Sequence, residues 1–231
     1  MTRRIVIATP HTRYDALEQA LRARPGWKVV RLYDRTELTA ENLRTLDPEK
    51  VFLPHWSWLI PAEVYEAFEC VVFHMTDLPY GRGGSPLQNL IVRGHRETMI
   101  SALRCNAGLD TGPVYLKRPM SLAGTAEEIF ARAAVLMEGM VIEIVESGCT
   151  LQPQVGEVVA FQRRSPEQGD IAGLTRLQAV HDHIRMLDAD GYPHAFLQVE
   201  GLRLEFTGSR LDDGVLRANV RITVTDGGKN R

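Results

Sequence analysis

The first half of the chain alternates short apolar runs with segments whose apolar residues recur at helical spacing. The apolar runs predict strands at 4–9, 27–32, 50–54 and 70–74. The segments between and after them predict helices at 14–24, 39–46, 61–68 and about 85–94. Because strands alternate with helices, the pattern predicts a mainly parallel sheet with right-handed crossover connections.

A different pattern begins after residue 98. Asp110 lies in a turn between two predicted strands, and Thr125 and Glu128 form a capping box at the start of a long helix. Two alternating segments flank Glu200 and Gly201, which is a hairpin signal, and residues 226–231 are expected to fray. The predicted elements are strands at 99–105 and 113–119, a helix at 125–147, a connector at 152–173, a helix at 174–187, and strands at 195–199, 202–206 and 216–224.

Together these elements predict an α/β fold. We expect a Rossmann-like, mainly parallel sheet with flanking helices, followed by a small C-terminal helix and β-hairpin extension. The predicted domains are 1–150, which holds the sheet, and 151–231, which holds the connector and the extension. Ligands bind such sheets beyond the carboxyl ends of the strands, so the chemistry is expected in the loops that follow them.

Bulk composition favours a soluble cytoplasmic protein. Of the 231 residues, 44% are apolar and 24% are charged, which is the ordinary balance of a globular domain. No apolar run is long enough for a signal peptide or a membrane span, so no membrane partner is expected. The three cysteines form no CxxC pair, which favours reduced thiols. The net charge of −2 argues against an extended nucleic-acid surface.

Two segments carry the candidate chemistry. His74 ends an apolar strand before a loop rich in glycine and proline, and Asp110 lies in the turn after the next strand. A histidine held by a carboxylate can act as a general base. Taken singly, a strand-end histidine is more often a packed structural residue, and an aspartate before Thr-Gly is more often a turn former.

The combination of the two segments resembles the N10-formyltetrahydrofolate-dependent formyltransferase family. The likeness extends over about residues 45–175. It implies N10-formyltetrahydrofolate as formyl donor, no metal, His74 as the base and Asp110 as the residue that orients and stabilises it. The residues that carry it are His74-x-x-x-Leu78-Pro79-x-x-Arg82-Gly83-x-x-Pro86-x-Gln88, Gly108-Leu109-Asp110-Thr111-Gly112 and Arg163-Arg164-Ser165-Pro166-Glu167.

One position departs from the family pattern. The family has an asparagine two residues before the histidine, and this chain has Val72. The asparagine is credited with stabilising the oxyanion of the reaction, and valine has no donor. His55 or Thr76 could supply one, the chemistry could depend on His74 alone, or the chain could have lost transferase activity.

The resemblance also assigns the binding residues. The loop that contains Trp56 and Trp58 corresponds to the segment that shapes the folate pocket, although two tryptophans could equally seal the core edge. A glycine near His74 would let the backbone approach a ligand closely. The predicted donor-binding residues are His55, Trp56, Ser57, Asp77, Leu78, Arg82, Gly83 and Gly108.

The acceptor substrate is assigned to four further residues. Arginines can pair with the phosphates of a nucleotide-linked substrate, and a tyrosine can stack on a base or a sugar. The predicted substrate-binding residues are Thr76, Arg163, Arg164 and Tyr192. His181 and His183 resemble a metal pair, but positions i and i+2 of a helix do not share a face, so no metal is expected.

The acceptor itself is predicted from differences within the family. Methionyl-tRNA enzymes carry a larger basic C-terminal domain, whereas only 58 residues follow Gly173 here. Glycinamide-ribonucleotide enzymes have a glycine-rich loop after the first strand, and residues 9–13 contain no glycine. The resemblance therefore favours the sugar N-formyltransferases, with a UDP- or dTDP-linked 4-amino-4,6-dideoxy sugar as acceptor, a homodimer and no nucleic acid partner.

Three alternatives stay open from the sequence. The first is transfer to a non-sugar amine. The second is hydrolysis of formyltetrahydrofolate, in which water replaces the amine. The third is a non-catalytic protein that binds folate or a sugar nucleotide, and Val72 is the observation that motivates it.

Overall fold

The computed structural model describes residues 2–225, so the predicted fraying of 226–231 lies outside the described residues. The chain divides into two compact units. One runs to Pro86 and adds Thr98–Met120 and Phe130–Phe161. The other comprises Leu87–Glu97, Ser121–Ile129 and the chain from Gln162 onward.

The first unit contains a six-stranded sheet whose first four strands in spatial order are parallel. The strands are β1 Arg3–Ala8, β2 Trp27–Leu32, β3 Lys50–Leu53, β4 Cys70–His74, β6 Glu97–Arg104 and β7 Val114–Ser121. Their order is β2-β1-β3-β4-β6-β7, with β6 antiparallel to β4. This architecture is the mainly parallel α/β fold predicted from the alternating pattern, and the prediction is confirmed.

Helices of the first unit pack against one face of this sheet. They place apolar side chains such as Leu43 and Val64 against strand residues such as Val6, Val51 and Cys70, which share that face. The described helices of both units are α1 Asp15–Arg22, α2 Ala40–Leu46, α3 Ala62–Tyr65, α4 Pro86–Val92, α5 Ala126–Ser147 and α6 Leu177–Arg185. None of the helices within residues 2–225 has the length and apolar character needed to cross a membrane.

A short second sheet in the first unit was not predicted. Strand β5, Tyr80–Gly83, pairs in parallel with β8, Val159–Phe161. The sequence of β5 contains two glycines and therefore has the composition of a loop. Its partner follows more than 70 residues later in a segment predicted as connector, so no local pattern links the two strands.

The second unit contains a three-stranded antiparallel sheet. Its strands are β9 Ala195–Val199, β10 Leu202–Asp212 and β11 Val215–Val224, in the order β11-β10-β9. The hairpin around Glu200 is as predicted, but β10 is twice as long as expected because β11 pairs along its whole length. Helix α6 is shorter than the predicted 174–187.

Candidate active site

His74 lies at the carboxyl end of β4 with its ring between two hydrogen-bond acceptors. The residue is only 7% exposed. Its Nε2 is 2.7 Å from the carbonyl oxygen of Gly81, and its Nδ1 is 3.6 Å from Oδ2 of Asp110. Because a carbonyl oxygen only accepts, Nε2 carries the proton in the first contact, and in the neutral ring Nδ1 holds the lone pair.

This arrangement leaves a basic nitrogen beside a carboxylate. The distance of 3.6 Å from Nδ1 to Asp110 is longer than a hydrogen bond. When Nδ1 takes up a proton from a substrate, however, the ring becomes a cation, and the Asp110 carboxylate 3.6 Å away stabilises it by its charge without occupying the Nδ1–H. The site can therefore accept a proton at Nδ1 and stabilise the resulting imidazolium.

Asp110 is held by its turn and by β5. Its backbone is in the left-handed region, with φ of +54°, which aspartate tolerates better than most residues. Its Oδ2 accepts a hydrogen bond of 2.9 Å from the backbone N–H of Gly83. Asp110 thus forms the turn and also places its carboxylate beside His74.

Strand β5 supplies a backbone group to each member of this pair. The carbonyl of Gly81 meets His74, and the N–H of Gly83 meets Asp110. A Cβ on Gly83 would lie 2.3 Å from the carbonyl oxygen of Phe161 in β8, so only glycine fits. Gly83 was predicted to let a ligand approach, whereas its N–H is already occupied by Asp110.

Gln154 was missed by the sequence analysis. Its Nε2 donates to the carbonyl oxygens of Asp110 and Gly112, both at 2.8 Å. Its Oε1 accepts from Nε and Nη2 of Arg82 at 3.1 and 2.7 Å. A glutamine in a polar connector has no distinguishing local pattern, so no sequence signal could have found it.

Thr76 lies close to His74 but is sealed from solvent. The residue is 0% exposed, and its hydroxyl oxygen has no hydrogen-bond partner within the described part of the chain. A Cβ on Gly81 would come within 2.7 Å of the Thr76 methyl group, so β5 covers this side chain. Its predicted contact with substrate would require β5 to move.

The other predicted donor-binding residues near the pair have structural contacts. Asp77 is exposed and forms an ion pair of 2.5 Å with Lys117, whose Nζ also meets the carbonyl of Leu78. The N–H of Gly108 donates to Oδ1 of Asn106, which organises the turn before Asp110. Their roles in binding stay predictions.

His55 is packed among rings. Its ring centroid lies 4.5 Å from that of His11 and 4.6 Å from that of Phe130. Burial lowers the pKa of His55 to about 3, and the charges of His11 and Arg13 contribute in the same direction. The ring is therefore neutral near pH 7 and has no cationic donor to offer an oxyanion.

Trp56 and Trp58 form one wall of a cavity of about 440 Å³. The two rings meet edge to face with centroids 5.0 Å apart. The Nε1 of Trp56 is buried and has no hydrogen-bond partner among residues 2–225. Aromatic walls fit a flat heteroaromatic ligand, such as the pterin of a folate. Ser57, between them, is exposed.

The remaining predicted residues belong to the second unit. Arg163 is exposed, and Arg164 donates to the carbonyl of Gln168 at 2.9 Å. Burial and the nearby charge of Arg93 lower the pKa of Arg164. Tyr192 lines a cavity of about 440 Å³ together with three carboxylate residues, which are Glu127, Asp188 and Asp190.

The two histidines of α6 have separate partners. Nδ1 of His181 is 2.9 Å from the hydroxyl of Ser209, and Nδ1 of His183 is 3.0 Å from the carbonyl of Ala179. Over residues 2–225, no group of three or more His, Cys, Asp or Glu side chains is arranged to hold a metal ion.

A histidine held between a backbone carbonyl and a carboxylate, at the carboxyl edge of an α/β sheet, has the arrangement that general acid–base chemistry requires. The family model described as formyl transferase matches residues 4–143, and the C-terminal domain model of methionyl-tRNA formyltransferase matches residues 166–223. The chain belongs to the formyl transferase family, whose formyl donor is N10-formyltetrahydrofolate, as predicted.

Three similar proteins are methionyl-tRNA formyltransferases. The methionyl-tRNA formyltransferase of Sinorhizobium medicae is 34% identical over 75% of this chain and 59% of its own length. That of Methylobacterium nodulans is 27% identical over 79% and 64%. A solved methionyl-tRNA formyltransferase from Clostridium thermocellum is 43% identical, with a TM-score of 0.94 over 97% of this chain and 100% of its own. The chain thus spans about three-fifths of the curated relatives but all of this solved structure.

These similarities correct the prediction of the acceptor. The predicted closeness to sugar N-formyltransferases, the predicted nucleotide-sugar acceptor and the predicted absence of a nucleic acid partner are wrong, because the relatives are named for methionyl-tRNA. The prediction failed because it used chain length and net charge. The C-terminal domain model of methionyl-tRNA formyltransferase matches residues 166–223 although this segment is short. A net charge of −2 for the whole chain also gives no information about local basic groups such as Arg163 and Arg164.

Proposed function

We propose that this protein transfers the formyl group of N10-formyltetrahydrofolate to the amino group of methionyl-tRNA. The observation that carries the transfer is the placement of His74 between the Gly81 carbonyl and the Asp110 carboxylate. The observation that carries the acceptor is the similarity to enzymes named for methionyl-tRNA.

The proposed chemistry needs one group that moves protons in both directions. The bound donor supplies a formyl group attached to a nitrogen. The attacking amine becomes cationic and must lose a proton, and the nitrogen that leaves must gain one. His74 takes the first proton at Nδ1 and returns it to the leaving nitrogen, while Nε2–H stays fixed on Gly81.

Asp110 stabilises the protonated form of His74. A carboxylate that orients a catalytic histidine also lowers the free energy of its imidazolium. Gly83 holds this carboxylate at 2.9 Å, so its direction toward His74 is set by the backbone. The product is a formamide on the amine, and tetrahydrofolate is released.

The donor is proposed to bind along the tryptophan wall. The cavity beside Trp56 and Trp58 is within the usual size range for small-molecule sites.

Val72 is proposed to affect the rate of the reaction, because it leaves position 72 without a hydrogen-bond donor. Residues 72 and 74 point to the same face of β4, so Val72 is next to His74 at the position where the family has an amide. It packs against apolar residues such as Leu103 and Val114 and offers no donor. Thr76 is sealed and His55 is neutral with a single ring N–H, so the proposal assigns the proton transfers to His74 and Asp110, with no amide donor at position 72.

The acceptor is proposed to meet the basic residues of the second unit. Arg163 is exposed, and burial, together with the nearby charge of Arg93, lowers the pKa of Arg164. A phosphate of a nucleic acid beside these groups would relieve the repulsion. Tyr192 offers a ring for stacking in the same unit.

The test is a transfer assay with purified protein, N10-formyltetrahydrofolate and methionyl-tRNA, read by the mass of the released amino acid. Formylmethionine is the expected product, with uncharged tRNA and free methionine as controls. Donor consumption that is equally fast without methionyl-tRNA would show a hydrolase. Donor binding without any turnover would show a non-catalytic protein, the alternative that Val72 motivates.

A further inference from the structure

The carboxamide of Gln154 has all of its hydrogen-bonding groups in use within one small network. Its two N–H groups donate to the carbonyls of Asp110 and Gly112, and its oxygen accepts twice from the guanidinium of Arg82. A carboxamide has two donors and two acceptor sites, so this side chain is saturated. Its rotamer is therefore fixed by four contacts at once.

The residues that Gln154 joins are those that hold the catalytic pair. Arg82 lies between Gly81, whose carbonyl meets His74, and Gly83, whose N–H meets Asp110. Gln154 connects the side chain of Arg82 to the backbone of the Asp110 turn. The contacts form a closed ring that passes through β5, Gln154, the turn and His74.

Neither of the joined segments is rigid by its own sequence. Gly81 and Gly83 have φ of +78° and +108°, and Asp110 has φ of +54°. Glycines leave the backbone free to move, and left-handed backbone at a non-glycine residue persists only where surrounding contacts enforce it. The 3.6 Å from Nδ1 of His74 to Oδ2 of Asp110 consequently depends on what ties the turn to β5.

We infer that Gln154 is a positioning residue: its carboxamide fixes the Asp110 turn against β5 and so sets the distance between the carboxylate and His74. This inference rests on the proposed roles of His74 and Asp110. Gln154 acts through these two residues and is assigned no contact with substrate.

Three variants separate this role from ordinary structural support. Gln154→Ala removes all four contacts, and Gln154→Glu keeps an oxygen for Arg82 while it removes the two N–H donors. Gln152→Ala is the matched control, because Gln152 is exposed, lies two residues away and pairs with Val114 through its backbone. Thermal unfolding of each variant checks that the fold is retained.

Kinetics give the first readout. Gln154→Ala is expected to lower kcat about 10- to 100-fold, the range for a displaced catalytic group, with KM for N10-formyltetrahydrofolate changed less than about twofold. The pH profile of its kcat/KM is expected to differ from that of wild type, because the carboxylate beside the His74 ring is displaced. Gln154→Glu loses activity in the same direction, and Gln152→Ala behaves as wild type.

NMR of histidine-labelled protein gives a second readout that needs no turnover. The seven histidines give a small set of ring signals, and His74→Gln identifies the one from His74. Its titration is expected to shift in Gln154→Ala and to stay unchanged in Gln152→Ala. If wild type proves inactive, the proposed function fails, but this titration still decides whether Gln154 positions the pair.

A structural role alone predicts a different set of results. Gln154→Ala would then lower the unfolding temperature while its pH profile and the His74 ring titration match those of wild type. That combination, or a kcat equal to that of Gln152→Ala, overturns the inference.

Discussion

The two compact units use their polar groups differently. In the first unit, Gly81 and Asp110 flank one imidazole, and Gly83 in turn holds the carboxylate of Asp110. In the second unit, Arg163 faces solvent and Tyr192 lines a cavity with carboxylates. The proposed reaction is therefore inferred from hydrogen bonds and charges within the first unit. The proposed acceptor site is inferred from exposed or cavity-lining residues of the second unit.

The largest expected effect separates a histidine of the first unit from one of the second. His74→Ala removes the proposed base and is expected to lower kcat/KM about 10³-fold, within the usual range for general acid–base catalysis. His181→Ala, which loses only its contact with Ser209, leaves transfer near wild type. Steady-state formylation rates measure both. Equal activity in the two variants would remove the distinction between the units.

Asp110→Asn is expected to give the next largest effect. The amide fits the same left-handed turn but cannot stabilise the imidazolium, so kcat falls about 10²-fold or more. Asp213→Asn is the matched control, since Asp213 also has a positive φ, +48°, in a turn of the second unit. Rates and unfolding curves of both variants show whether charge or turn geometry is lost; a similar loss in both would favour geometry.

Val72→Asn is expected to raise kcat, whereas the substitutions of His74 and Asp110 lower it. Loss of one oxyanion donor typically costs about 10²- to 10³-fold in kcat, so an amide at position 72 is expected to raise kcat about tenfold even without optimal placement. Val92→Asn, at an exposed site of the second unit, serves as control. A lower kcat with an unchanged unfolding temperature would show that the valine is part of a working site.

The smallest expected effect concerns the basic residues of the second unit. Arg163→Ala and Arg164→Ala are each expected to raise KM for methionyl-tRNA several-fold. Each is also expected to reduce the slope of log K against log salt concentration by about one, the value for one lost phosphate contact. KM for N10-formyltetrahydrofolate is expected to stay constant. Measuring KM for both substrates at several salt concentrations tests this. An equal rise in both KM values would place the arginines outside acceptor binding.

The sequence predicts features that depend on neighbouring residues and misses contacts between segments that are far apart in the chain. The end of β4 at His74 and the turn at Asp110 are local patterns, so the sequence alone predicts both. The pairing of β5 with β8 and the contacts of Gln154 join distant segments through backbone and side-chain hydrogen bonds, which leave no periodic signal. The acceptor was mispredicted because net charge and length are properties of the whole chain. They do not describe the local surface that would bind the acceptor.

The central claim is that His74 drives formyl transfer to an amine. A single-turnover experiment tests it most directly: enzyme preloaded with N10-formyltetrahydrofolate is mixed with methionyl-tRNA, and formylmethionyl-tRNA is followed in wild type and His74→Ala. The account predicts formation of this product in wild type at a rate at least about 10²-fold above that of the variant. Equal rates in the two proteins, or tetrahydrofolate released without a formylated amine, would contradict it.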